Sequence, residues 1–299
     1  NYLLVNGTNQ EASDLNGIDF LSNGFQILED HDDVNDNGDT YIYMAWATDA
    51  DEEAPTLASS FNIATYTGSS TSDGTGGAEQ SIGGFSFKPD VVWIKNRNHT
   101  YTHAIFDNLR GVGKQITPNS TAAESSSDAY LTAFDSDGFK VEGDYAFNRN
   151  TYTYVAWGWK ADDNEPTYNT NGSINSITSA NDNAGFSVIK YTGTGSNATV
   201  GHGLSSAPTF MLVKNLSSSS AWAVFHTSLG ATKYLALNEN TAEATASNVW
   251  NDTAPTSTVA SIGTWGPVNT SGDEHIMYAW DDVSGYSKFG SYSGSGSNG

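Results

Sequence analysis

The chain has 299 residues, of which 37% are hydrophobic and 12% aromatic, so it is long enough and apolar enough to build two or three domain-sized cores. Its 34 acidic and 12 basic residues give a net charge of −22, a sign that repels nucleic-acid phosphates and anionic lipid. It contains no cysteine, which excludes disulfides and cysteine-type zinc sites, and no apolar run approaches the ~20 residues needed to span a bilayer.

The first predicted elements lie in residues 1–57, which open on the apparent strand "NYLLVN" and later contain "TYIYMAW". In the second of these, Tyr41, Tyr43 and Ala45 point to one face, because successive side chains of a strand alternate. The other face carries Ile42, Met44 and Trp46, and it is equally apolar. This pattern predicts a central strand of a sheet.

The turn before that strand, "DVNDNG", matches the first half of a calcium-binding loop. It offers oxygen ligands at alternate positions, from Asp33, Asn35, Asn37 and Asp39. The twelfth position of such a loop needs a bidentate Glu, and Met44 stands there. We therefore favour an Asn/Asp/Gly turn and expect no cofactor, with calcium as the open alternative.

The segments that follow recur along the chain in a fixed order. "FNIATYTG" (61–68) matches "FSVIKYTG" (186–193), and "FGSYSG" (289–294) resembles a third start. The motif Pro-x-x-x-x-[IV]-Lys-Asn occurs in "KPDVVWIKN" and "APTFMLVKN", and an Ala-Trp strand ends each unit at Trp46, Trp157 or Trp280. The predicted organisation is the back half of a unit (1–57), a complete unit (58–166), a linker (167–182), a second complete unit (183–283) and the first strand of a further unit (284–299).

Each unit predicts an all-β fold. The segments are short, rich in β-branched and aromatic residues, and bounded by Gly, Asn, Asp and Ser. Units of about 100 residues with seven or eight such strands are typical of antiparallel β-sandwiches, here jelly-roll-like and arranged in tandem. The recurring tryptophans are interpreted as core anchors.

Other motifs point to no chemistry. "GTGSNA" (193–198) imitates a dinucleotide-binding loop, but the sequence after it cannot form the helix that such a loop requires. His99 and His103 have no third ligand nearby for zinc. If a sugar is bound, aromatic residues on loops are the expected platforms, and the candidates are Trp222, Trp250 and Trp265. Each of these is equally compatible with a place at the edge of a core.

Long stretches of the chain resemble the tandem repeats of tail-fibre-type structural proteins of marine bacteriophages, often called concanavalin-like or lectin-like. The resemblance is dense in "FSVIKYTGTGSNATVGHGLSSAPTFMLVKN", "GYSKFGSYSGSGS" and "NYLLVNGTNQEASDLNGIDFLSNGF" and looser in 61–165. It implies a non-enzymatic virion structural protein in an extracellular appendage, acting as spacer and adhesin for a host-surface glycan or protein. It also implies other virion proteins as partners and favours a homotrimer.

Two alternatives to this function stay open at this point. One is a cellular extracellular adhesin or filament subunit built of the same repeats, and the other is a glycan-degrading enzyme with accessory sandwiches. The partial units at the two ends also allow two arrangements. Either the chain is a segment of a longer polypeptide that carries the missing strands, or a neighbouring chain completes the open sheet edge by donating strands.

Overall fold

A computed structural model describes residues 2–13, 17–28, 32–47, 60–71, 77–143, 145–162 and 165–297. The fold is all-β and built of antiparallel sheets, as predicted, with three single-turn helices. The predicted boundary at residues 57 and 58 and the acidic spacer before it lie outside the described residues. None of the helices in the described ranges is long and apolar enough to cross a membrane.

The first unit forms a four-stranded sheet, in the order β4-β12-β6-β7, covered on its outer face by the three-stranded sheet β10-β11-β5. Four elements of the N-terminal residues, namely β1, β2, α1 and β3, precede this unit along the chain. The elements up to the end of the first unit are β1 (Ile18–Leu21), β2 (Gly24–Ile27), α1 (Asp32–Asn35), β3 (Thr40–Trp46), β4 (Phe61–Thr67), β5 (Gln80–Ile82), β6 (Val91–Asn96), β7 (Ala104–Asp107), β8 (Lys114–Gln115), β9 (Ser125–Ser126), β10 (Leu131–Asp135), β11 (Gly138–Val141) and β12 (Thr153–Trp159).

The second unit repeats the plan in an eight-stranded sheet, in the order β13-β14-β15-β22-β17-β18-β19-β20, with the pair β16-β21 on its outer face. The segment predicted as a linker contains β13 and β14, and β14 pairs with β15 along six residues, so this segment is an integral part of the sheet. The elements are β13 (Thr167–Asn169), β14 (Ser176–Asn181), β15 (Phe186–Thr192), β16 (Ala198–Gly201), β17 (Phe210–Asn215), β18 (Ala223–His226), β19 (Lys233–Ala236), β20 (Ala244–Thr245), α2 (Ser247–Trp250), β21 (Val259–Ile262), α3 (Gly266–Asn269), β22 (Glu274–Trp280) and β23 (Ser287–Ser293).

The two ends of the described chain join in a third sector, which we define as residues 2–47 together with 287–297. Its centre is the seven-residue antiparallel pair of β23 with β3, in which Ser287 lies opposite Trp46. The same pairing places Phe61 opposite Trp159 in the first unit and Phe186 opposite Trp280 in the second. The strand 287–293 of the predicted further unit thus pairs with residues 40–46 of the predicted back half, within one chain.

The three pairs meet at a shared core. The rings of Trp46, Trp159 and Trp280 lie 5.4 to 6.2 Å apart, centroid to centroid, and Phe61, Phe186 and Phe289 pack around them. Each pair of strands contributes one tryptophan from the same position, so the units are arranged about a pseudo-threefold axis. The units are therefore one body with a common core rather than beads on spacers.

This arrangement corrects one position of the repeat. The tryptophan equivalent to Trp46 and Trp280 is Trp159, whereas Trp157 lies opposite Ile63 and is only half-buried. Residues two apart on a strand share a face, so the Ala-Trp pattern selected the correct face of β12 but the wrong residue of its Trp-Gly-Trp sequence.

One hydrogen-bonded motif explains the recurring Tyr-[ST]-Gly sequence, and we call it the asparagine staple. The tyrosine hydroxyl donates to a backbone carbonyl just before a buried asparagine, and the asparagine Oδ1 accepts an N–H from the loop after the glycine. The hydroxyl distance is 2.7 Å in all three cases, for Tyr66 to Phe147, Tyr191 to Val268 and Tyr292 to Val34. The asparagines are Asn148, Asn269 and Asn35.

The glycine of this motif is required by close approach of the backbone. A Cβ on Gly68, Gly193 or Gly294 would lie 2.0 to 2.3 Å from the carbonyl oxygen of the residue after the staple asparagine. Because a real Cβ never approaches so closely, only glycine lets the front strand cross the staple loop. The sequence motif is thus a packing requirement that all three sectors share.

Candidate functional site

The tryptophans proposed as sugar platforms take two different places. Trp222 is fully buried, and its indole N–H donates to the Thr117 carbonyl of the first unit at 3.0 Å. Trp250 is 1% exposed and packs edge-on against Phe225, with ring centroids 5.7 Å apart. Both rings therefore fill protein cores and present no face to a ligand in this structure. Trp265 is half-buried, 4.7 Å from the ring of Tyr234, and keeps part of its ring at the surface.

One of the four residues of the possible calcium loop, Asn35, is the asparagine of the third staple. Asn35 is buried, its Nδ2 donates to the Ser297 carbonyl at 3.0 Å, and its Oδ1 accepts the Ser295 N–H at 2.9 Å. Asp33, Asn37 and Asp39 are exposed. Among the described residues, no group of three or more His, Cys, Asp or Glu side chains is arranged to hold a metal ion. The geometry supports a structural role for Asn35.

A cluster of charged side chains lies between the first and second units. Tyr278 of β22 donates to Asp107 Oδ2 at 2.6 Å, and Arg110 pairs with both Asp107 and Glu124. The Tyr278, Asp107 and Arg110 side chains are almost completely buried, and burial raises the pKa of Tyr278 well above its usual value. A charge network sealed from solvent cannot receive a substrate, so its role is to join the two units.

Loops at one end of the first unit gather a cluster of aromatic side chains. The rings of His99 and Tyr152 stack with centroids 3.7 Å apart, and those of Tyr101 and Tyr145 stack at 5.5 Å. The Arg149 guanidinium lies 4.6 Å from the centre of the Tyr145 ring. All four rings are half-buried. We call these four residues the aromatic loop cluster.

The second unit carries small or polar residues at the same four positions. Shared hydrogen bonds establish the equivalence: Asn96 Oδ1 accepts the His99 N–H as Asn215 Oδ1 accepts the Ser218 N–H. The corresponding residues of the second unit are Ser218, Ser220, Gly266 and Asp273. The cluster therefore belongs to one unit and is not required by the fold.

The sequence analysis missed this cluster. The sequence patterns predict no site at Tyr101, Tyr145 or Tyr152, and they present His99 only as a zinc ligand that lacks a third partner. The signal for this cluster is the difference between two aligned loops, "NRNHTYTH" in the first unit and "NLSSSSAW" in the second. Aromatic residues on a loop that the equivalent unit does not need for its fold indicate a role at the surface.

A second feature is an apolar cleft of about 1540 Å³ in the third sector. The β1–β2 hairpin lines one side, and β3 and the first unit line the other. Its rim exposes large apolar side chains, including Phe20 at 87%, Ile63 at 42% and Met44 at 38%. Exposed apolar surface of this extent is typical of interaction sites.

Comparison with known proteins gives one match. A family model described as a domain of unknown function, DUF7483, covers residues 1–50 and 57–299. No curated protein matches the chain, and no solved structure matches it.

Proposed function

We propose a structural and adhesive role for this chain, which belongs to the DUF7483 family of domains of unknown function. In this proposal it is a non-enzymatic component of a phage tail fibre or similar virion appendage, where it acts as spacer and as contact to the host surface. The observation that carries the proposal is the pseudo-threefold block, in which three sectors share one tryptophan core. A block whose three sectors pack on one shared core suits a component that transmits force.

The surface charge and the aromatic loop cluster support the adhesive part of the proposal. A net charge of −22 keeps such a block soluble and separate from nucleic acid. Tyrosine and histidine rings on loops supply apolar faces with polar edges, the combination that binds sugar rings. We assign host-surface glycan contact to His99, Tyr101, Tyr145 and Tyr152, with Trp265 as a further exposed ring, in place of Trp222 and Trp250.

The homotrimer suggested by the resemblance remains part of this proposal. One chain already contains threefold organisation, so three chains could align their axes with that of a fibre. Light scattering of the purified protein is expected to give three times 31.8 kDa. A monomer at micromolar concentration would indicate that the internal threefold arrangement replaces the trimer.

Location is the first test of the function. Antibodies raised against the chain are expected to label an appendage of purified phage particles in immunogold electron microscopy. Labelling of cell-surface filaments of an uninfected bacterium would instead favour a cellular adhesin or filament subunit. Release of reducing sugar from host envelope material would contradict the non-enzymatic assignment.

Glycan contact is tested by exchanging residues between the units. The double variant Tyr101→Ser and Tyr152→Asp introduces the second unit's residues, and it is expected to weaken binding to host envelope glycans about fivefold to tenfold because ring stacking is lost. Tyr168→Ser removes an exposed tyrosine elsewhere and serves as the matched control. Equal binding by the double variant and wild type would remove the cluster from the proposal.

A further inference from the structure

The strand β3 has one occupied and one open edge. Its occupied edge pairs with β23, and the Ala47 N–H donating to the Tyr286 carbonyl fixes which residues face that strand. Because hydrogen-bonding directions alternate along an antiparallel strand, the N–H groups of Ile42, Met44 and Trp46 face the other way. No strand pairs with that edge among the described residues. This leaves a row of backbone donors and acceptors at the surface of the cleft.

The equivalent edge is filled in both complete units. In the first unit, β6 adds to β12 along six residues, and β7 then adds to β6. In the second, β17 adds to β22 along six residues, and β18 adds to β17. We call each β6–β7 or β17–β18 pair a core hairpin. At two of the three equivalent edges, this position of the fold is therefore occupied by a core hairpin.

A core hairpin is apolar on both faces because it separates two cores. In the second unit, Phe210 and Leu212 enter the shared central core, whereas Met211 and Val213 enter the outer core of the unit. The first unit shows the same division between Trp93 and its neighbours Val92 and Ile94.

The cleft of the third sector lies where these two layers would meet. It runs between the β1–β2 hairpin and β3, and its lining includes Phe25, Tyr43 and Trp46. Phe25 is half-buried, although its equivalent in the first unit, Phe139, is fully buried beneath the core hairpin. The position equivalent to the exposed Met44 is Tyr278 in the second unit, which is 1% exposed.

Each core hairpin also carries a buried lysine that reaches into the preceding sector. Lys214 Nζ donates to the Thr121 carbonyl of the first unit at 3.2 Å, and Lys95 Nζ lies 3.4 Å from the Thr8 carbonyl of the third sector. Asn119 Oδ1 accepts the His103 N–H as Asn238 Oδ1 accepts the Trp222 N–H, so the residue of the second unit equivalent to Thr121 is Asn240. Asn240 is exposed, and its carbonyl is the one that a third lysine would contact.

We propose that the open edge of β3 and its cleft bind a core hairpin donated by a further repeat of this family. The added strand has the form Pro-x-x-x-x-[IV]-Lys-Asn, runs antiparallel to β3, and places its lysine toward Asn240. A polypeptide is favoured over a lipid or an apolar small molecule because only a strand supplies partners for a row of backbone groups. The proposal does not depend on the virion assignment.

Cross-linking tests both binding and register. The chain has no cysteine, so a single cysteine can be placed at Ala45, and the probe is residues 207–229 of the second unit joined to a soluble carrier. In β22 the equivalent of Ala45 is Ala279, which lies opposite Met211. We expect a disulfide between Ala45→Cys of the protein and Met211→Cys of the probe, in a 1:1 product.

The matched control is a probe with Leu212→Cys, whose side chain points to the opposite face of the added strand. Cross-linking at 212 equal to that at 211 would overturn the predicted pairing. A lack of any product at up to millimolar probe, with the carrier alone as background, would overturn the proposal.

A second test separates strand addition from apolar adhesion. Met44→Pro removes an N–H that faces the open edge, whereas Met44→Thr keeps this N–H and removes a similar apolar group. We expect Met44→Pro to weaken probe binding at least tenfold, measured by titration of tryptophan fluorescence, and Met44→Thr to weaken it less than threefold. Equal affinities would overturn the proposal.

Amide hydrogen exchange on the unmodified protein gives the same answer if the proline variant does not fold. Bound probe is expected to protect the amides of Ile42, Met44 and Trp46, which face the open edge. Uniform protection of β3, or none, would contradict edge addition.

Discussion

The second unit and the third sector contain the same staple, the same paired strands and the same inner tryptophan, but they surround them differently. In the second unit, the core hairpin and the contact with the first unit bury Tyr278 and Trp280 in the shared core. In the third sector, the equivalent Met44 is exposed and Trp46 is only half-buried. The staple and the central pair of strands therefore define the geometry of a sector, whereas the core hairpin supplies most of its burial.

Removal of the inner tryptophans should give the largest difference between the sectors. Trp159→Ala and Trp280→Ala are each expected to lower the free energy of unfolding by about 3–5 kcal/mol, because each removes a buried ring and leaves a large cavity. Trp46→Ala should cost clearly less, since its side chain is only half-buried. Urea unfolding measures all three, with Trp→Phe variants as controls for partial filling. Equal losses at the three positions would mean that the third sector is as well packed as the others.

Acid should act through the buried histidines of both units, and the contribution of His103 in the first unit can be measured separately. Burial lowers the pKa of His103 to about 4, so the folded protein keeps this ring neutral while the unfolded chain protonates it near pH 6.5. The unfolded state then binds more protons between these values, and stability falls as the pH falls through this window. At about 1.4 kcal/mol per pKa unit, the loss for this residue is on the order of a few kcal/mol.

The equivalent position in the second unit is Trp222, which does not titrate. His103→Gln is therefore expected to give a shallower decline of the melting temperature between pH 6.5 and 4 than wild type. Asp90, whose pKa burial raises to about 6, acts in the opposite direction, so the difference between the two proteins isolates His103. Parallel pH profiles would show that His103 does not contribute.

The staple asparagines should give the smallest effects, and these should again differ by sector. Asn269→Ala leaves the Thr194 N–H and the Gly263 carbonyl without their partner in a buried site, which should cost about 1–3 kcal/mol. Asn35→Ala should cost less globally, because the hydrogen bonds of Asn35 with Ser295 and Ser297 are only partly buried, whereas the bond from Asn269 to the Gly263 carbonyl is buried.

Hydrogen exchange should show which part of the structure loses stability in Asn35→Ala. In Asn35→Ala, faster exchange is expected in β23 and the loop after it, and the second unit should be unaffected. A loss of protection spread through the whole chain would show that the third sector is not a separate region of stability.

Much of the fold could be predicted from the sequence because its signals are local. Alternating apolar residues gave the strands, and the recurring Tyr-[ST]-Gly and Lys-Asn motifs gave the order of the units. The equivalence of Trp157 was wrong because Trp157 and Trp159 lie on one face of β12, and only the strand opposite decides between them. The central position predicted for the "TYIYMAW" strand was also wrong, because two apolar faces indicate burial on both sides and say nothing of the strand's edges.

The parts that sequence could not give depend on contacts between units. Trp222 follows the serine-rich loop 217–220, a position equally compatible with a sugar platform and with the edge of a core, and only the contact with the first unit shows that it is buried. The aromatic loop cluster is formed by two loops more than 40 residues apart, which only the folded sheet brings together. The pairing of β3 with β23 has no local signature, because neither strand alone identifies its partner at the other end of the chain.

The β3–β23 pair also has a kinetic consequence. The staple that accompanies it joins Tyr292 to Val34, 258 positions apart in the chain, whereas the equivalent contacts of the two complete units span 81 and 77. Contacts between distant residues form slowly because more chain entropy is lost before any contact is gained. The two units are therefore expected to fold first, and the ring of three sectors closes last. A refolding chain would pass through an intermediate with two native units and two unpaired strands, β3 and β23, and in that interval it would be most prone to pair with another chain.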